Sequence, residues 1–137
     1  MVENTGVEYS GACHCGEIRY KVTMPIKRVS NCHCFMCREV NGGAFSSYAI
    51  VRDTHFEVQG APAVYQVTEN VHKHFCGCCG TPLFNRNTLY PGARMVYLGS
   101  LHGHQQLLPS FNIYCESMLP WVMRLGDVPR YERGLKD

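Results

Sequence analysis

Charge, tryptophan and long apolar runs are all scarce in this chain. Its 137 residues carry a formal net charge of +2, too little to argue by electrostatics for a nucleic-acid or membrane-surface partner. No stretch approaches the roughly 18 consecutive apolar residues that a membrane-crossing helix needs. The N-terminal M-V-E-N-T-G-V-E has no basic segment leading into an apolar one, so no secretory signal is read there. A Gly-rich phosphate loop, a Pro-rich tract and a Ser-His-Asp arrangement are also missing. These absences lead us to expect a soluble, cytoplasmic protein with neither nucleic acid nor membrane among its partners.

Helical patterning is sparse as well. One short fragment, Trp121 to Leu125, reads as helix. Elsewhere short runs rich in β-branched and aromatic residues lie between Gly, Pro and Asn turn signals. Ile18, Tyr20 and Val22 share one face of a strand, with Arg19 and Lys21 on the other. Further strands are expected within 44–51, 56–59, 63–67, 71–75, 94–101 and 110–116, while Val29 to Cys34 leads into a cluster of three thiols. N-G-G at Asn41 to Gly43 marks a turn. With 45% hydrophobic residues, the expectation is a single mostly β domain over 1–137, its core spanning about 11–130.

What the chain has in abundance is cysteine. Nine cysteines, an odd number in tight clusters and without an export signal, argue for metal rather than disulfides. Cys13 and Cys15 form a Cys-x-Cys pair flanked by Gly11 and Gly16, where tight backbone turns would be needed. Cys76 and Cys79 have the Cys-x-x-Cys spacing of a zinc knuckle, followed by Gly80. Together these four make a complete thiolate set for a closed tetrahedral zinc site.

The second group is C-H-C-F-M-C. Cys32 and Cys34 on extended backbone point to one face, because strand side chains alternate, and a tight turn brings Cys37 round to them. Three thiolates are one short of a closed structural site. Cys78, Cys115 or His33 could supply the fourth ligand. Otherwise the open position belongs to water or to a substrate. His14 and His33 lie between ligands and should face away from metal. His72, His74, His102 and His104 are surface residues or pocket acid–base candidates. Phe111 and Trp121 either line a pocket or fill the core.

Three segments carry a resemblance: G-A-C-H-C-G-E-I-R-Y, C-H-C-F-M-C-R-E-V-N-G-G-A-F and H-F-C-G-C-C-G-T-P-L-F. From about Gly11 to Trp121 the chain resembles the glutathione-dependent formaldehyde-activating enzymes, which share their domain with centromere protein V. The resemblance implies a β-tent-like fold of short antiparallel strands and two zinc ions per chain. Cys13, Cys15, Cys76 and Cys79 would hold the structural ion. Cys32, Cys34 and Cys37 would hold the catalytic one. The family's basic pair after the third thiol appears here as Arg38-Glu39, from which we expect weaker glutathione selectivity.

The implied activity is that of a carbon–sulfur lyase acting on glutathione, or a related thiol, and its aldehyde adduct S-hydroxymethylglutathione. A thiol in the fourth position of a three-thiolate zinc would be held as thiolate. It would also take the site to a net charge of −2, which Arg38 is placed to offset. Two other classes compete: a zinc-stabilised module that holds a thiol without chemistry, and a protein-interaction domain with two closed sites.

Overall fold

The computed structural model describes residues 6–135. In chain order it forms β1 (Tyr9–Ala12), β2 (Arg19–Val22), β3 (Val29–Cys32), α1 (Phe35–Asn41), β4 (Ser46–Arg52) and β5 (Phe56–Gln59). Then follow β6 (Ala63–Gln66), β7 (Val71–Phe75), β8 (Pro82–Asn87), β9 (Ala93–Tyr97) and β10 (Phe111–Ile113). Short 3-10 turns, the last at Val122–Asp127, make up the remaining regular structure. The protein is mostly β, as its short alternating runs suggest.

β1, β2 and β5 make a three-stranded sheet, and a seven-stranded sheet runs β10-β3-β4-β9-β8-β7-β6. Every strand pair is antiparallel except β10 with β3. That parallel pair sets Ile113 opposite Cys32, so the last strand runs alongside the first thiol of the three-cysteine segment.

Alternation explains how the sheets meet. Tyr20 and Val22 of β2 point inward while Arg19 and Lys21 stay in solvent, and Phe56 of β5 joins them. Against them pack Ala49 and Val51 of β4, Leu83 and Phe84 of β8, and Val96 of β9. Each such large side chain contributes about 1.5–3 kcal/mol on burial. Gly11 is required by this packing. A β-carbon there would lie 2.1 Å from the Tyr20 ring, whose hydroxyl meets Ser100 Oγ at 2.7 Å. Gly11 thus serves close approach within β1, and the turn falls to Gly16, at φ +80°.

Several sequence expectations change. The turn expected after Cys34 is the helix α1, and N-G-G is its end. Gly42 takes φ +79° and its amide caps the Arg38 carbonyl, a conformation glycine adopts without strain. Seven residues are too few to show a 3.6 period, so the helix left little trace in the pattern. β1 and β8 were not anticipated, and the Trp121 segment winds as 3-10 turns rather than α-helix. Among the described residues no helix is long and apolar enough to cross a membrane.

Candidate functional site

Two cysteine groups assemble from separate parts of the chain. Cys13, Cys15, Cys76 and Cys79 bring their sulfurs within 4.8 Å of one another, and so do Cys32, Cys34 and Cys37. No cysteine of the chain is in a disulfide. In the first group Cys13 Sγ lies 3.6 Å from Cys15 Sγ, which lies 3.7 Å from Cys76 Sγ. Tetrahedral zinc with zinc–sulfur bonds of about 2.3 Å sets its sulfurs about 3.8 Å apart. The donor set and its spacing therefore fit such an ion, and both clusters could hold one.

The first group is built from two turns. Cys13 to Gly16 reverses the chain between β1 and β2, and the Ile18 amide donates to Cys13 Sγ at 3.2 Å. Cys76 to Gly80 reverses it between β7 and β8. There the amides of Cys78 and Cys79 both donate to Cys76 Sγ at 3.4 Å. Gly80 closes the turn at φ +79°, and its amide reaches the Cys76 carbonyl at 2.8 Å. Backbone amides aimed at sulfur stabilise thiolate. The Cys79 thiol is pulled down to about 5, foremost by the Thr81 hydroxyl at 3.1 Å.

The second group sits at the junction of β3 and α1. Cys32 ends the strand. Cys34, on extended backbone, is the N-cap of α1 and accepts from the Cys37 amide at 3.3 Å. Cys32 and Cys34 sulfurs are 3.5 Å apart. The bond from Cys37 lowers the Cys32 thiol; that same bond, together with burial, pushes the Cys37 thiol up. Such a set favours a bound cation. The Tyr48 hydroxyl lies 3.3 Å from Cys37 Sγ, and Asn85 Nδ2 donates to it at 3.2 Å. Burial, then the neighbouring Tyr97, pushes the Tyr48 phenol up, so it stays neutral.

The three thiols face a cavity of about 610 Å³, whose walls include Tyr48, Asn85, Met95 and Phe111. None of the candidates for a fourth ligand joins the group. His33 turns away, with Nε2 2.9 Å from Asn112 Oδ1 and its ring against Phe45. Cys78 and Cys115 are exposed. Arg38 donates to the carbonyls of His33 and Ser117 and covers the Phe35 ring. It is not among the cavity's lining residues, and Glu39 is exposed on α1.

Of the remaining candidates, His72 and His74 line a second cavity of about 450 Å³ with Arg86. His74 stacks on Phe84, and burial, followed by Arg94 and Arg86, lowers it to about 4. His102 bonds Ser10 Oγ, and His104 Nδ1 donates to the Leu101 carbonyl. Trp121 is half exposed and lines neither cavity.

Sequence reading missed Arg28, Asn85 and the Tyr48 hydroxyl as cavity groups. Only Tyr48 had a signal, as a polar-tipped aromatic in an expected strand. Asn85 lies in the unanticipated β8.

The sequence profile of the glutathione-dependent formaldehyde-activating enzymes matches residues 8–117. The chain belongs to that family. A curated relative from Halomonas elongata, provisionally named as such an enzyme, is 31% identical over 90 residues. The match covers 59% of this chain and 57% of the relative, so the chain spans little more than half of that protein's length. A crystal structure of a Rhodobacter sphaeroides protein shares the fold, with a TM-score of 0.57 at 22% identity. That likeness covers 69% of this chain and 88% of the other.

Proposed function

We propose that the chain acts as one domain, with a core of about 11–130, and is a carbon–sulfur lyase-like enzyme of this family. It joins a thiol such as glutathione to an aldehyde such as formaldehyde, or splits their adduct. The observation carrying this reading is the three-thiol group on a cavity with no fourth protein ligand beside it among the described residues. In this reading Cys13, Cys15, Cys76 and Cys79 hold a structural zinc, while Cys32, Cys34 and Cys37 hold a catalytic one. Zinc held by the three thiolates would keep a substrate sulfur ionised near neutral pH.

In the joining direction the thiol loses its proton and a carbon–sulfur bond forms at the carbonyl carbon. The C=O π pair moves to oxygen, which takes up a proton as the hydroxyl. Splitting the adduct reverses each change. The cavity orients the two reactants and excludes water. Tyr48 and Asn85 supply neutral hydrogen-bonding groups beside the sulfurs. Arg38 locks the 115–117 turn to the end of β3 through the Ser117 and His33 carbonyls, and so positions the wall of the site.

Cobalt placed at the three-thiol group alone, with zinc kept at the four-thiol group, tests the reading. Glutathione should shift the cobalt spectrum toward four-sulfur coordination and release close to one proton at pH 7, because the free thiol is mostly protonated there. Calorimetry in buffers of different ionisation enthalpy measures that proton. A four-sulfur spectrum before any thiol is added, losing one sulfur in Cys115→Ser or Cys78→Ser, would mean a closed site and no lyase.

A further inference from the structure

The charge pattern of the large cavity speaks to which thiol it takes, given the function proposed above. Its walls are largely apolar: Met36, Ile50, Met95 and Ile113, with the rings of Phe111 and Tyr114. Arg28 is its one charged lining residue, and no Asp or Glu lines it. The guanidinium lies over the Phe111 ring at 5.4 Å and has no carboxylate partner among the described residues. The nearby cations are engaged elsewhere. Arg38 holds two carbonyls, and Lys73 donates to the Val40 carbonyl at the end of α1.

Two further features bear on the shape and polarity of the ligand. Tyr114 is held at φ 55°, the one non-glycine residue at positive φ among those described, a conformation costly for a bulky side chain. Its neighbours fix it: the His33 amide bonds the Ile113 carbonyl and Arg38 bonds that of Ser117. The Tyr114 segment is thereby tied to the residues between β3 and α1. Ser30 Oγ and Asn85 Oδ1, both lining residues, are buried without a hydrogen-bond partner, and each can answer a neutral polar group.

Glutathione carries two carboxylates and an ammonium at neutral pH. Arg28 can answer one carboxylate. For the ammonium the cavity has neutral acceptors such as Asn85 Oδ1 but no carboxylate, and a charge taken from water without a counter-charge is costly. We infer that the thiol this site selects has an apolar, aromatic-sized body and one anionic group, with its sulfur toward Cys32, Cys34 and Cys37 and its anion at Arg28.

Calorimetry on zinc-loaded protein with three probes decides this: 2-benzyl-3-mercaptopropanoate, its methyl ester and glutathione. The acid should bind at least about tenfold tighter than glutathione. Arg28→Gln should weaken the acid about tenfold, in line with a partly exposed charged hydrogen bond, and leave the ester within about twofold. Glutathione binding as tightly as the acid overturns the inference and leaves the proposed function standing. Arg28→Gln acting equally on acid and ester, or on neither, also overturns it. If none of the three binds at the metal, the proposed function falls with it.

Discussion

The two cysteine groups share donor chemistry and differ in everything around it. The four-thiol group ties two reverse turns from different sheets, and its sulfurs meet backbone amides and the Thr81 hydroxyl. The three-thiol group joins a strand to a helix next in sequence, and it meets a phenol and a cavity. A cross-link between distant turns constrains the fold. A group whose members lie within six residues constrains little beyond its own loop, so its open side is free for a ligand.

The sharpest way to break this contrast is to remove one thiol from each group. Cys76→Ser should unfold the chain, since structural zinc in small domains carries of order 10 kcal/mol of apparent folding free energy. Cys37→Ser should stay folded and bind one zinc fewer than the wild type, for which the proposed function expects two. Circular dichroism melting and elemental analysis read both outcomes. Equal loss of fold would make both groups structural.

A smaller effect separates the two arginines. Arg38→Met leaves the His33 and Ser117 carbonyls short of a charged donor and should cost about 1–3 kcal/mol of stability. Arg28→Gln, whose guanidinium meets the Phe111 ring and no carboxylate among the described residues, should cost well under 1 kcal/mol by the same denaturant titration. Comparable losses would mean that Arg28 holds the fold together rather than answering a ligand.

The smallest expected effect lies in β7, on the wall of the second cavity and two residues before Cys76. His74 is held at about 4, against an ordinary value of 6.5. Between these values the unfolded chain binds more protons than the folded one, so stability falls as pH drops through that window. His74→Gln should show a shallower fall in urea midpoint from pH 6.5 to 4. Identical slopes in the two proteins would mean that His74 contributes nothing to the acid sensitivity.

Spacing made the cysteine groups legible, because ligand sets leave short fixed intervals in sequence. Strand alternation made β2 legible for a similar reason: Tyr20 and Val22 are buried as their pattern requires. Tertiary contacts left no such mark. Arg28 and Arg38 look alike in sequence, and only the β10–β3 pairing sets one beside Phe111 and the other on the Ser117 carbonyl. Asn85 was missed because the knuckle and the proline after it masked a strand that begins at Pro82 itself.

Cys34 belongs at once to the thiol group and to the first turn of α1, whose backbone it caps. Ionised sulfur accepts that amide hydrogen more strongly than a neutral thiol does. Loading the group with metal should therefore strengthen the cap on the first turn, and stripping it should loosen that turn while Gly42 and Lys73 still anchor the far end. The Cys37 amide becomes a gauge: its hydrogen exchanges with solvent slowly in the loaded protein and faster in the stripped one, and occupancy can be timed without looking at the ion.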